Sequence, residues 1–179
     1  RHFSIVPTSE GSTFAWIPTL TSVSRQSIFL ARTPAELGRM IKGTSGEEGY
    51  WVDFWLDKGF QLDAVQFIKV AEKNEEDVQQ AIHDQDIRRL ALIFNDIDEM
   101  VHSSTNISSL NTESLLKLID NWASVSFGPI LRELLAFGWV VYVTSDHGAQ
   151  RIRQDVGNIR EGVFTETTGQ RARIYPRSE

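Results

Sequence analysis

The sequence predicts an α/β domain: a mostly parallel sheet with helices on both faces. Two short apolar runs, LALIFN at 90–95 and WVVYVT at 139–144, have the length and β-branching of buried strands. Segments of helical period lie before, between and after the strand candidates, and strands separated by helices imply parallel or mixed pairing. Each apolar run also leads into acidic residues, DIDE at 96–99 and SDHG at 145–148. The carboxyl edge of a parallel sheet is where such folds bind ligands.

Taken in order, residues 3–6 read as a short strand and 7–11 as a turn. Pro18 disfavours helix in the residue before it. From Ser22 a helix is expected, with Val23, Ile28, Phe29 and Leu30 toward the core and Thr21 or Ser22 as cap. Pro34 opens a second short helix over 34–41, and 43–49 is a loop. Residues 49–59 place Trp51, Phe54 and Trp55 on one helical face, an arrangement that fits core packing better than base stacking. A strand at 65–70, a polar helix at 74–83 and the central strand at 89–95 follow. A long helix starts at Thr112 and continues to Gly138 with a break near Gly128-Pro129. Arg171 to Tyr175 alternates as an edge strand does.

The chain has 179 residues, 41% of them hydrophobic, enough for one compact domain that buries about two thirds of its surface on folding. A formal charge of −6 provides no general attraction for nucleic acid or anionic membrane. The arginines at 171, 173 and 177 offer a basic strip that keeps a nucleic-acid partner open. There is no cysteine, which excludes disulfides, thiolate metal sites and a cysteine nucleophile. No apolar run reaches the roughly 20 residues that span a bilayer. The lack of cysteine fits a reducing compartment.

Two of the four histidines fall at the two strand ends. Asp146 and His147 are adjacent after one apolar run. After the other, Asp98 and His102 lie four apart and share a face if a helix follows. Carboxylate and imidazole suit zinc or manganese, so the two pairs suggest a centre for one or two metal ions. Asp96 and Glu99 compete for the role; Asp96 lies six residues from His102 and points elsewhere on a helix. Cations of this kind call for an anionic substrate and a nucleophile. PTLTSVSR at 18–25 offers hydroxyls at a helix start, where free N–H groups favour anions, and Arg25 has a fork suited to phosphate oxygens. Read alone, that segment fits helix capping by Thr19, Thr21 or Ser22 better than catalysis.

PTLTSVSRQSIF (18–29), IDEMVHS (97–103), TSDHG (144–148) and the closing GVF…RARIY segment resemble, in order and spacing, the PglZ domain, a branch of the alkaline phosphatase superfamily. The resemblance covers nearly the whole chain. It implies an alkaline phosphatase-like three-layer sandwich over residues 1–179, as one domain of a larger protein. It implies a metal-dependent phosphohydrolase using two divalent ions, zinc with manganese or magnesium as alternatives. In that superfamily the nucleophile precedes a helix in patterns such as TFPNH or CxPSR, which TSVSR at 21–25 resembles. Thr21 then becomes the nucleophile, and Arg25 takes the place of the sulfatase arginine. Asp98 and His102 would hold one ion, and Asp146 and His147 the other. The pattern departs at two points: the only acid ahead of Thr21 is Glu10, and no histidine follows His147. The chain is therefore expected to lack the first strand and two ligands. Related domains occur in bacterial phage-exclusion (BREX) systems and fused to response-regulator receivers, which implies partners on other domains or subunits of a defence or signalling system. A phosphodiesterase or nuclease, and a catalytically silent interaction module, are the alternatives.

Overall fold

The computed structural model describes residues 7–14, 19–37, 43–106 and 112–148; at Glu72, 102–106 and Thr112 it describes the backbone alone. The expected strands at 3–6 and 171–175 lie outside these residues.

Two parallel strands form the centre, β1 (Val65–Lys69) and β2 (Arg89–Ile93), in register Val65 to Arg89 through Lys69 to Ile93. Parallel neighbours need a crossover, and α4 (Glu75–His83) supplies it. Among the described residues, the α-helices before β1 are α1 (Thr21–Leu30), α2 (Pro34–Leu37) and α3 (Glu47–Asp57). After β2 come α5 (Asp96–Asn106), α6 (Thr112–Trp122) and α7 (Gly128–Ala136).

Successive strand residues point to opposite faces, so β1 shows how the layers form. Phe67 points to one face and meets Phe29 of α1 edge-on, and Phe29 also packs edge-on against Trp51 of α3. Ile68 points to the other face, into a cluster with Val78, Ala81 and Ile82 of α4, Ile87, and Leu134 of α7. Helices thus cover both faces of the two strands. Each fully buried aliphatic side chain in that cluster contributes roughly 1.5–3 kcal/mol relative to exposure. The stripe on α3 packs as expected: Trp51, Trp55, Phe54 and Phe60 form edge-on pairs, and the Trp51 indole N–H donates to the Gln66 carbonyl at 3.0 Å. The guanidinium of Arg89 lies over the rings of Trp55 and Phe60.

Between α6 and α7 the helix is interrupted rather than broken. Residues 123–127 form a π-helical turn in which the Gly128 N–H reaches back to the Ala123 carbonyl. Pro129 has no N–H to continue an α-helical ladder, and its ring would collide with the carbonyl four residues earlier. The wider turn relieves this. A Cβ on Gly128 would come within 2.8 Å of the Ala123 oxygen, which accounts for the glycine.

One expectation is corrected. Residues 139–144, expected as the second strong strand, have no regular secondary structure and join no ladder among the described residues. Trp139 and Val141 pack on the α4/α7 core, and the Trp139 indole donates to the Ile82 carbonyl at 3.0 Å. Val140, Tyr142 and Val143 stay exposed. β-Branching and aromaticity suit a residue to a pleated, half-buried surface, but a neighbouring backbone makes the strand. The described sheet accordingly has two strands rather than the larger sheet expected.

Candidate functional site

The site forms where α1 begins, beyond the carboxyl ends of β1 and β2. Leu20 holds the N-cap position of α1 and makes no side-chain cap bond, which places Thr21 in the first helical turn. Capping therefore does not occupy its hydroxyl. Thr21 Oγ1 lies 3.1 Å from His147 Nε2, across 126 residues of sequence.

The other ring nitrogen of His147 lies 3.1 Å from the Gly148 carbonyl oxygen. A carbonyl only accepts, so this contact is a hydrogen bond in the tautomer with its hydrogen on Nδ1, which turns the Nε2 lone pair toward the Thr21 hydroxyl. Asp146 is bound into the same turn. Its Oδ1 accepts from the His147 backbone N–H at 3.1 Å, and its Oδ2 is 3.5 Å from Nε2. Three lone-pair bearers, Thr21 Oγ1, His147 Nε2 and Asp146 Oδ2, thus converge, and their chemistry fits a divalent cation or a transferred proton.

Arg25, one turn after Thr21, ties the site to the rest of the fold. Nη2 donates to Asn95 Oδ1 at 2.8 Å, Nη1 to Glu47 Oε1 at 3.5 Å, and Nε is 3.6 Å from Asp146 Oδ2. Glu47 is fully buried, and Lys69 Nζ lies 3.0 Å from its Oε2. Lys69, the last residue of β1, also donates to the Thr44 carbonyl at 3.3 Å.

Of the residues singled out in the sequence, Thr21, Arg25, Asp146 and His147 come together. Asp98 sits half-buried in the first turn of α5, three residues past Asn95. The backbone of His102 follows one turn later on the same helix, and its side chain lies outside the described residues. Among the described residues no three acidic or imidazole side chains gather as a metal centre. Two residues went unrecognised in the sequence. Asn95 reads only as the end of an apolar run, and Glu47 as part of a loop, because apolar periodicity begins two residues later. The one available signal was the pair of acids, Glu47 and Glu48, in the first turn of α3, a place that favours negative charge.

A hydroxyl at a helix start, facing an Asp-His pair beyond the carboxyl ends of two parallel strands, is consistent with an alkaline phosphatase-like domain. The chain matches the model of the BREX system PglZ alkaline phosphatase-like domain over residues 3–178, and it belongs to that family. No curated protein and no solved structure matches it. Among the described residues no helix is long and apolar enough to cross a membrane.

Proposed function

We propose that this chain hydrolyses phosphate esters through Thr21, as a cytoplasmic component of a phage-defence assembly. One observation carries the reading: the Thr21 hydroxyl lies on the imidazole of the Asp146-His147 pair rather than on its own helix as a cap. Oγ1 of Thr21 attacks phosphorus, the bond to the ester oxygen breaks, and the leaving alcohol takes a proton. The hydroxyl proton passes through solvent to that alcohol, and a hydrogen on Nδ1 toward the Gly148 carbonyl leaves the Nε2 lone pair beside Thr21, where it suits an ion ligand. Water then cleaves the phosphothreonine, releasing phosphate and restoring Thr21. Arg25 places positive charge beside Asp146, and the N-terminus of α1 adds the positive end of its helix dipole, both favourable to a phosphoryl group. Asp146 and His147 would be donors for one divalent ion, zinc or else manganese or magnesium, and Asp98 with His102 for a second. Such ions, when bound, supply Lewis acidity that stabilises charge on the phosphoryl oxygens.

A catalytically silent module that binds partner domains is the second reading, favoured by the saturation of Arg25 with protein partners. Turnover of a chromogenic phosphate monoester and of the matching diester, by the wild type and by Thr21→Ala, separates the two. The hydrolase reading expects turnover that falls to background in Thr21→Ala; full turnover in the variant removes Thr21 as nucleophile. A preference for the diester directs the reading toward nucleotides or nucleic acid. Metal content after zinc loading gives an independent measure: about two ions per chain, reduced in Asp146→Asn and His102→Ala, are expected for the enzyme, and none for the silent module.

A further inference from the structure

We infer that Glu47 is a positioning residue that locks the Arg25 guanidinium toward Asp146, an inference that rests on Arg25 serving the proposed site. A carboxylate with no exposure to water is costly to bury and is kept where cations repay the lost hydration. Glu47 has two such cations on opposite sides. Arg25 Nη1 is 3.5 Å from Oε1, and Lys69 Nζ is 3.0 Å from Oε2, supplying charge there without hydrogen-bond alignment.

The geometry gives each cation a different part. The Lys69 side chain is 44% exposed and the Arg25 side chain 13%. Lys69 therefore keeps much of its hydration, whereas the guanidinium depends on its protein partners. Asn95 holds Nη2 at 2.8 Å, and with Nη1 on Glu47 both terminal nitrogens are fixed. The planar fork then has one orientation, in which Nε faces Asp146 at 3.6 Å. The carboxylate also offsets one of two neighbouring positive charges, so that Arg25 and Lys69 are held close together. Glu47 stands in the first turn of α3, Lys69 at the end of β1, and Asn95 just after β2. The orientation of Arg25 is thus referred to both central strands rather than to the surface loop at 144–148.

Rotation about the Nε–Cζ bond of Arg25 reads this out directly, with no substrate. Nitrogen-15 spectra of the whole chain, with Arg25→Lys assigning the signals, are expected to show separate, slowly exchanging Nη1 and Nη2 resonances. Glu47→Gln should speed their exchange by about tenfold, the equivalent of one hydrogen bond to a charged group. Lys69→Met should leave the exchange slow. Should Glu47→Gln fail to fold, Glu47→Gln with Lys69→Met removes one charge of each sign and carries the same expectation. Fast exchange in the wild type, or slow exchange in the Glu47 variants, overturns the inference. In a protein that hydrolyses the chromogenic ester, Glu47→Gln should lower kcat by about tenfold with KM changed much less. Faster rotation with kcat unchanged would make the contact merely structural and overturn the role as well. A wild type that turns over nothing sinks the hydrolase reading, and the rotation measurement still decides whether Glu47 orients Arg25.

Discussion

The two flanks of the central strands both bury apolar side chains, but they differ in what lies beside them. On the α4/α7 side the interior is apolar: Val78 is 1% exposed and Ile82 2%, and they pack against Ile68, Ala81 and Leu134. On the α1/α3 side the most deeply buried side chains include Gln26 at 1% and Glu47 at 0%, joined by Ser24 and Ser27, whose hydroxyls have no hydrogen-bond partner among the described residues. Close packing gives the first flank most of its stabilisation, since apolar burial is non-directional and needs no matched partner. The second gains little net energy from burying charge, and what it gains is fixed direction at Arg25, Asp146 and Thr21. The comparison places an apolar interior on one face of the sheet and, on the other, directed polar contacts beside the packing of Phe29, Phe67 and Trp51.

Substitution of Ile82 by Ala is expected to have the largest effect, a loss of ~2–5 kcal/mol in denaturant unfolding. Molecules that remain folded should keep the slow rotation at Arg25. A loss below ~1 kcal/mol, or faster rotation at Arg25, would break the division between the flanks. Asn95→Ala comes next, at about 1.5 kcal/mol, because it removes a hydrogen bond from a charged donor that is largely buried. Here the order of sensitivities should reverse, with rotation at Arg25 changing more than the unfolding midpoint. The smallest effect belongs to Glu36 of α2, outside both flanks. Its carboxyl is held below the ordinary carboxylate range, first by the Thr33 hydroxyl and then by the Thr33 backbone N–H, both 2.7 Å from Oε2, with a smaller contribution from Arg32. A lowered folded-state value means that its contribution is present above the ordinary range and lost as pH falls through the lowered value. Unfolding curves of Glu36→Gln should differ slightly from wild type near neutral pH and coincide with it in acid; a difference that widens in acid would reverse the sign.

Much of the secondary structure was legible in the sequence because it depends on neighbours a few residues apart. Periodicity located α3 and α4, short β-branched runs located β1 and β2, and Pro129 marked the interruption after α6. The run at 139–144 misled for the same reason: its composition suits a strand, but a strand is completed by another backbone, which local pattern does not contain. Thr21, Arg25, Asp146 and His147 stood out by residue type, and the family likeness supplied their expected roles. Their meeting was not legible locally, since Thr21 and His147 are 126 residues apart.

By itself the sequence determined which segments are helical, which strands carry apolar faces, that no thiol chemistry is available, and that the chain belongs with the PglZ alkaline phosphatase-like domains. Only the tertiary structure decided that the Thr21 hydroxyl is taken by an imidazole rather than by its own helix, and that Glu47 is a buried counter-ion instead of a loop acid. Backbone preferences act over a few residues and are written in each segment. Burial and ion pairing act through space, and they exist only once the chain has brought α1, α3, both strand ends and the 144–148 turn to one place.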